Sequence, residues 1–194
     1  MDFTLIMLVI FCWMKVKESK IKGVKILSPV IHSDTRGSFF ETFKSTIFRS
    51  YGLPVNFVQD NQVRSSQNVL RGLHYQLSYP QGKLVQVVSG AILDVAVDIR
   101  MGSSTFGEYH AVNLSSKNKK IFYIPEGFAH GYIVLSKFSI VLYKCTNIYN
   151  PGDEYGIKWD DPDLNINWGD ISPLVSEKDN ALPYLKDQKC LPTY

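Results

Sequence analysis

The sequence is poor in the residues that define several large protein classes. Its three cysteines, Cys12, Cys145 and Cys190, form no CxxC pair and predict neither a disulfide framework nor a zinc knuckle. The 21 basic and 18 acidic side chains leave a net charge of +3, too small to indicate a nucleic-acid-binding protein. With 13 glycines, 9 prolines and no heptad repeat, collagen-like, coiled-coil and disordered chains are also excluded. We therefore expect a reduced, cytoplasmic, globular protein.

Long hydrophobic runs are also scarce, apart from one at the start of the chain. Residues 3–14 are almost entirely apolar, but a membrane-spanning helix needs about 20 such residues. Asp2 stands where a signal peptide carries positive charge, and no small-residue cleavage site precedes Lys15. Two interpretations stay open: translation that starts at Met14, which we prefer, or a tail that associates with a membrane. In both, residues 1–13 lie outside the fold and residues 14–194 form a single domain.

From Ile21 onward the sequence has the pattern of a β protein. Short runs rich in β-branched and aromatic residues are separated by Gly, Pro, Ser or Asn, and no helices alternate with them. We predict an all-β fold, a jelly-roll barrel or β-sandwich of nine or ten strands with a few short helices and a C-terminal segment that wraps the barrel. The predicted strands include residues 24–31, 39–43, 57–63, 84–88, 91–99, 109–114, 120–124, 131–135 and 139–147.

Turn and cap residues refine this prediction. Ser89-Gly90 is typical of a two-residue hairpin turn between the strands that flank it. Ser45 is the predicted N-cap of a short helix over residues 45–51. A second short helix is expected over residues 176–182, where Ser176 can cap.

Histidine is scarce as well, with four in the chain. His32 and His110 are interpreted as structural or surface groups. His74 lies in the segment Arg71-Gly-Leu-His-Tyr-Gln76. In a regular strand, Arg71 would face one side while Gly72 and His74 face the other, so Gly72 would leave room for a ligand beside the imidazole. Spacing alone, however, favours a structural role for this histidine.

His130 ends the segment Pro125-Glu-Gly-Phe-Ala-His130, which resembles the second motif of cupins, a jelly-roll superfamily. In the first cupin motif, H-x-H and a following glutamate supply the other metal ligands. Here that stretch reads His74-Tyr-Gln76, and the glutamate position falls near Pro80 or Gln81. Two histidines without a carboxylate do not complete a metal site. We therefore expect no metal, with both imidazoles free for acid–base chemistry.

Many further motifs, in the same order, resemble the dTDP-4-dehydrorhamnose 3,5-epimerase family from about Ile21 to Leu185. They are Asp34-Thr-Arg-Gly37, Phe57-Val-Gln-Asp-Asn61, Val69-Leu-Arg-Gly-Leu-His-Tyr-Gln76, Gln81-Gly-Lys-Leu-Val85, Asp94-Val-Ala-Val-Asp-Ile-Arg100, Ser104-Thr-Phe-Gly107, Ile124-Pro-Glu-Gly-Phe-Ala-His-Gly131, Tyr143-Lys-Cys-Thr-Asn147 and Gly156-Ile-Lys-Trp-Asp-Asp-Pro-Asp163. The resemblance implies a cofactor-independent isomerase that inverts C3 and C5 of dTDP-4-keto-6-deoxyglucose. Both carbons lie beside the C4 ketone, so a base of pKa near 7, such as histidine, can remove their protons.

The resemblance also implies roles for individual residues. His74 matches the family's base, Asp179 its carboxylate partner, Tyr143 the acid on the opposite face, and Lys83 the cation beside the C4 oxyanion. The matches to substrate-binding positions are Arg36 and Arg71 for the diphosphate, Phe39 and Tyr149 for the thymine, and Glu41, Gln59, Asn61, His130, Glu154 and Lys178 for other contacts.

Other functions and assemblies remain open at this point. The alternatives are a mono-epimerase that acts at C3 or C5 only, a related cupin 3,4-ketoisomerase, and a non-catalytic nucleotide-sugar-binding cupin. The motifs around His74 and His130 favour an epimerase over a ketoisomerase, and the complete catalytic set argues against a binding protein. The resemblance further implies a homodimer in which Val24 to Val30 crosses to the partner and brings Arg36, with Phe39, into its site. A monomer that keeps this strand on its own sheet edge is the alternative.

Overall fold

The computed structural model describes residues 14–194, so the interpretations of residues 1–13 lie outside the described residues. The described chain consists mainly of strands: β1 (Met14–Glu18), β2 (Lys25–Pro29), β3 (His32–Asp34), β4 (Gly37–Phe39), β5 (Gln59–Ser66), β6 (Val69–Gln76), β7 (Lys83–Ser89), β8 (Ala91–Asp98), β9 (Tyr109–Ser115), β10 (Ile121–Ile124), β11 (Phe128–Val134), β12 (Phe138–Cys145), β13 (Glu154–Gly156) and β14 (Leu174–Val175). Its helices are α1 (Ser45–Ser50), α2 (Glu177–Asn180) and single 3₁₀ turns at Pro151–Asp153 and Leu185–Asp187.

Two larger sheets form the cupin-type jelly roll that the strand pattern predicted. The first has the order β1-β2-β10-β7-β12-β5, and the second has the order β13-β6-β11-β8-β9, with β14 beside β6. Apolar side chains of both sheets pack into one interior cluster, which includes Val85, Val141, Ile92 and Tyr132. Burying each such side chain contributes about 1.5–3 kcal/mol to stability, which holds the two sheets together.

The C-terminal segment covers the outer face of the second sheet. Ile157, Leu164, Trp168 and Leu185 pack against sheet residues such as Ile133. All seven residues of β11 are buried because the sheet is covered on both faces. The predicted wrapping segment is thereby confirmed, and it carries α2 to the edge of β6.

The turn at Ser89-Gly90 is not a hairpin, so this prediction was wrong. β7 pairs with β10 and β12 in the first sheet, whereas β8 pairs with β9 and β11 in the second. Gly90 therefore lies where the chain crosses from one sheet to the other. The residues of a tight turn are the same whether the flanking strands form a hairpin or belong to different sheets. The turn sequence therefore does not show which distant strands each flanking strand pairs with.

The short helices are present, but only one of the two predicted caps is correct. The Ser176 Oγ accepts a hydrogen bond from the Asp179 backbone N–H at 3.1 Å, which confirms the cap of α2. The N-cap of α1 is Lys44, without a side-chain cap bond, and Ser45 is already helical. Packing of Phe48 against Phe43, with ring centroids 4.7 Å apart, stabilises α1 instead.

The N-terminal strands differ from the prediction in two places. β1 begins at Met14, before the predicted β region, and β4 ends at Phe39, so the strand expected over residues 39–43 is absent. β2 pairs with β1 and β10 of the same chain, and the crossing of Val24 to Val30 to a partner stays a prediction. The β3–β4 hairpin is exposed, and its two strands pair with each other as a separate sheet.

No helix in residues 14–194 is long and apolar enough to cross a membrane.

Candidate active site

One cavity of about 480 Å³ contains most of the predicted site residues. The two sheets provide its opposite walls: β5, β7 and β12 belong to the first sheet, and β6, β11 and β13 belong to the second. The predicted residues in its lining are His74, Tyr143, Asp179, Lys83, Gln59, Asn61, Arg71, His130, Tyr149, Glu154 and Lys178. Residues as far apart in the sequence as Gln59 and Asp179 thus meet in one cavity.

The backbone of β6 differs from the regular strand that the sequence predicted. Arg71 and His74 both line the cavity, although strict alternation placed them on opposite faces. The pairing with β11 shifts between these positions, since His74 lies opposite His130 and Arg71 lies opposite Tyr132. One additional residue of β6 therefore fits between the two pairs and turns Arg71 toward the cavity.

Gly72 allows this irregular pairing rather than making room for a ligand. A Cβ atom at this position would lie 2.5 Å from the His130 carbonyl oxygen, and φ is +109°. The glycine is therefore required because two backbones approach closely, which corrects the expectation drawn from the sequence.

His74 is held by Asp179, as the resemblance implied. The distance from His74 Nε2 to Asp179 Oδ1 is 2.7 Å, and the second carboxylate oxygen accepts from the Gly72 N–H at 3.2 Å. Burial alone would raise the pKa of Asp179, but these hydrogen bonds and the charge of His74 outweigh it and hold the pKa below its usual value. Because Nε2 is engaged, Nδ1 is the ring nitrogen left for proton transfer; it lies 3.9 Å from Glu154 Oε1.

Lys83 and Tyr143 lie on the opposite wall from His74. Burial lowers the pKa of Lys83, whose ammonium donates to Gln81 Oε1 at 3.1 Å. Burial raises the pKa of Tyr143 to about 12, so this hydroxyl stays protonated and can donate a proton. The cavity therefore has a base on one wall and a proton donor with a cation on the other, which is the arrangement that inversion of a carbon centre requires.

Tyr149, Glu154 and Lys178 form a linked group beside His74. The Tyr149 hydroxyl donates to Glu154 Oε2 at 2.9 Å, and the Lys178 ammonium contacts the same oxygen. These charge partners outweigh the effect of burial and hold the pKa of Glu154 below its usual value. Glu154, whose loop matches the family pattern least well, thus lies within the cavity.

The family model for dTDP-4-dehydrorhamnose 3,5-epimerase matches residues 18–187. The chain belongs to this family. A dTDP-4-dehydrorhamnose 3,5-epimerase of Methanothermobacter thermautotrophicus is 50% identical over 175 residues, which cover 88% of this chain and 94% of the relative.

Solved structures of related epimerases share the fold. The Legionella pneumophila 3,5-epimerase in complex with dTDP-4-keto-L-rhamnose superposes with a TM-score of 0.89 at 46% identity, covering 93% of this chain and 98% of that one. ChmJ, a 3'-monoepimerase from Streptomyces bikiniensis in complex with dTDP-quinovose, superposes with a TM-score of 0.86 at 35% identity, covering 91% and 92% of the two chains.

Three residues that match substrate-binding positions of the epimerase family do not line the cavity. Arg36 lies in the β3–β4 hairpin, where its side chain is 88% exposed and bonds Asp34. Phe39 is 64% exposed, and Glu41 pairs with Lys44 at 3.2 Å. Within a single chain of this epimerase, these groups are separated from His74.

Two further buried residues, of which only Tyr132 lines the cavity, were not singled out from the sequence. Asp94 is fully buried and its Oδ1 lies 2.5 Å from His130 Nε2, whereas Tyr132 lines the cavity beside Arg71. A carboxylate inside the apolar strand β8 was the available signal for Asp94, because an acidic residue is rarely fully buried without a partner. For Tyr132, nothing in the sequence distinguishes a cavity-facing tyrosine from a packing one.

The described part of the epimerase has neither a cluster of metal ligands nor a disulfide. Residues 14–194 contain no group of three or more His, Cys, Asp or Glu arranged to hold a metal ion. Cys145 and Cys190 are both free thiols.

Proposed function

We propose that the protein is a cofactor-independent epimerase that inverts C3 and C5 of dTDP-4-keto-6-deoxyglucose and yields dTDP-4-keto-L-rhamnose. The observation that carries this proposal is that His74 and Tyr143 reach one cavity from opposite sheets, with Lys83 on the same sheet as Tyr143. Membership of the 3,5-epimerase family supports the choice of substrate.

The proposed reaction follows from the acidity of a carbon next to a ketone. His74 Nδ1 removes the proton from C3 or C5, and the C–H electron pair moves into an enolate whose charge lies on O4. The Lys83 ammonium stabilises that oxyanion, and Asp179 stabilises the imidazolium. Tyr143 then protonates the carbon from the opposite face, after which solvent returns a proton to Tyr143 and removes one from His74.

Substrate binding is assigned to the other side chains of the cavity. The Arg71 guanidinium suits the diphosphate, and the Tyr149 ring suits the thymine. Gln59, Asn61, His130, Glu154 and Lys178 supply further polar contacts for the nucleotide sugar.

The test is NMR of dTDP-4-keto-6-deoxyglucose with the protein in D₂O, with His74→Ala protein as the control. We expect deuterium at C3 and C5 with the wild type and at neither carbon with the control. Deuterium at one carbon would instead indicate a mono-epimerase, the activity named for the structural neighbour ChmJ. Deuterium at neither carbon with the wild type would indicate a binding protein.

We also propose a homodimer in which the β3–β4 hairpin enters the cavity of the partner. Two facts support this arrangement: Arg36 and Phe39 are exposed on the hairpin, and neither lines its own chain's cavity. Light scattering should give twice the chain mass of 22.1 kDa. A fully active monomer would contradict the proposal. A cytoplasmic location also stays a prediction.

A further inference from the structure

The Lys83 ammonium is held by an amide of the cavity wall, that of Gln81. Lys83 Nζ donates to Gln81 Oε1 at 3.1 Å, and both side chains line the cavity. The Asp179 carboxylate is engaged elsewhere, since it bonds His74. A lysine side chain is a flexible stem that ends in a point charge, so its direction depends on the group that accepts its hydrogen bond.

Both ends of the Gln81 amide have a partner, and this fixes the direction of the amide. Gln81 Nε2 donates to the Asn147 carbonyl oxygen at 2.8 Å. A carbonyl oxygen only accepts and an ammonium only donates, so reversing the amide would lose both hydrogen bonds. Because Gln81 is 9% exposed, little water is available to replace them. The amide oxygen therefore faces Lys83.

The backbone around Gln81 is fixed to the end of β12. The Gly82 N–H donates to Thr146 Oγ1 at 2.8 Å, and the Thr146 N–H donates to the Gly82 carbonyl oxygen at 3.0 Å. Asn147, whose carbonyl accepts from the Gln81 amide, follows Thr146 directly in the chain. Three hydrogen bonds thus join the two segments and give the Gln81 amide a rigid support.

An amide suits this position better than a carboxylate would. In the proposed reaction negative charge develops on O4, and a cation stabilises it most when no protein carboxylate has already neutralised that cation. The neutral amide oxygen directs the Lys83 ammonium and leaves its charge available. Burial lowers the pKa of Lys83, and a hydrogen bond to the charged form acts against that effect.

We propose that Gln81 is a positioning residue that directs the Lys83 ammonium toward O4 of the sugar. The proposal rests on the proposed function, in which Lys83 stabilises the oxyanion. In this role Gln81 affects the reaction only through Lys83. Removing the amide should therefore slow the reaction only while Lys83 is present.

The test is a double-mutant cycle on kcat with Gln81→Met, Lys83→Met and the variant that carries both substitutions. Methionine is similar in size to glutamine but has no amide to bond the ammonium or the loop carbonyl. Gln81→Met should lower kcat about tenfold, because a misdirected catalytic group loses much of its effect. The double variant should match Lys83→Met within about twofold, because the amide then has no ammonium to direct.

NMR of ¹³C-labelled lysine measures the same link without substrate. The Lys83 resonance is identified by its absence from the Lys83→Met spectrum, and its titration gives a midpoint. In Gln81→Met the midpoint should fall by about one pH unit, because the ammonium loses its acceptor. In Gln81→Glu it should rise, because a carboxylate favours the charged form. Cys145 on β12 and Glu154 on β13 also act electrostatically on Lys83, and every variant retains both.

Gln76→Met is the matched control. Gln76 is a second buried amide of the cavity, and its Nε2 donates to the carbonyls of Tyr79 and Ile148. Its Oε1 accepts from the Asn150 N–H, so its bonds hold loops rather than a lysine. The effect of Gln76→Met on kcat should be the same in the wild-type and Lys83→Met backgrounds, and the Lys83 midpoint should not move.

Equal losses of kcat from Gln81→Met in the presence and absence of Lys83 would overturn the proposal. A Lys83 midpoint that moves in neither Gln81 variant would also overturn it. If Gln81→Met does not fold, Gln81→Glu decides alone, and an unchanged or lower midpoint overturns the proposal.

The two measurements also separate this proposal from the proposed function. A wild type that turns over the keto sugar, with Gln81 and Lys83 losses that simply multiply, would refute the role of Gln81 alone. A protein whose Lys83 midpoint moves as expected but which does not turn over the keto sugar would refute the proposed function, and the role of Gln81 with it.

Discussion

At the scale of single residues, His74 and Tyr143 have roles that the structure separates. Asp179 holds Nε2 of His74 at 2.7 Å, and His74 and Tyr143 belong to opposite sheets. Removing the base and removing the acid should therefore have different consequences for the carbon-bound protons.

His74→Ala should abolish both solvent exchange and inversion, because no proton leaves carbon. Tyr143→Phe retains the base, so the enolate still forms and is reprotonated by His74 on its original face. Deuterium should then enter the sugar with retention, while inversion falls by about 10² to 10⁴. NMR in D₂O measures both rates. If the Tyr143→Phe protein inverts the sugar carbons as fast as the wild type does, Tyr143 is a packing residue and another group is the acid.

The loss of activity at high pH should result from deprotonation of Lys83 rather than of Tyr143. Burial lowers the pKa of Lys83 below 10.5 and raises that of Tyr143 to about 12, so Lys83 loses its proton first as pH rises. Activity should decline as the ammonium becomes neutral. In Lys83→Arg the cation persists to higher pH, so the alkaline limb of kcat/KM should move upward even though the rate itself is lower. An alkaline limb at the same pH in both proteins would contradict this assignment.

At the scale of secondary-structure elements, the β3–β4 hairpin and the β6–β11 pair position the site. The hairpin carries Arg36 away from the cavity of its own chain. The β6–β11 pair brings His74 and His130 side by side. Each arrangement has a consequence that substitutions can test.

Mixing Arg36→Ala with His74→Ala should restore activity if sites are shared between subunits. In the mixed dimer, one of the two sites receives an intact hairpin and an intact base. After denaturation and joint refolding, up to about a quarter of the wild-type activity is expected, since half of the dimers are mixed. Each variant refolded alone is the control. Activity no higher than the sum of the separate variants would exclude the exchange.

Gly72→Ala should destabilise the protein more than Gly102→Ala does. Both glycines have positive φ, but a Cβ at Gly72 meets the His130 carbonyl oxygen at 2.5 Å, whereas nothing lies within 4 Å at Gly102. Placing an alanine at positive φ costs about 1–2 kcal/mol in both variants. The difference between their losses in unfolding free energy therefore measures the clash of the Cβ with the β11 backbone. Denaturant unfolding of the two variants provides the comparison. Equal destabilisation would show that β11 moves aside without cost.

At the scale of the whole molecule, the jelly roll is that of cupins, but the ligand positions at Gln76 and Gln81 carry amides. Gln76 Nε2 donates to the carbonyl of Tyr79 at 2.7 Å, and Gln81 Nε2 donates to that of Asn147 at 2.8 Å. Both amides therefore hold loops at the cavity.

Activity should consequently be unaffected by EDTA. Neither proposed proton transfer needs a Lewis acid, since Lys83 supplies the positive charge at O4. The rate before and after exhaustive dialysis against EDTA is the measurement. Activity that is lost and then restored by one divalent metal would contradict the assignment of Lys83.

Local patterns in the sequence were enough to predict the fold class, whereas most of the candidate site was implied by the resemblance to the epimerase family. Short runs of β-branched and aromatic residues predict strands, because these residue types favour the extended backbone within the run itself. The cap of α2 is equally local, since the Ser176 side chain bonds the backbone N–H only three residues away. Eleven of the residues that match site positions of the family line one cavity in the structure.

Tertiary structure alone decided how those segments meet. The register shift opposite β11 turns Arg71 and His74 to the same side, and sheet order makes Ser89-Gly90 a crossing instead of a hairpin. The pairing of Asp94 with His130 and the shifted pKa of Lys83 arise from packing between distant segments. The pattern of apolar and polar residues along a segment depends on the local backbone conformation. These features depend instead on which strands become neighbours in a sheet and in which register they pair.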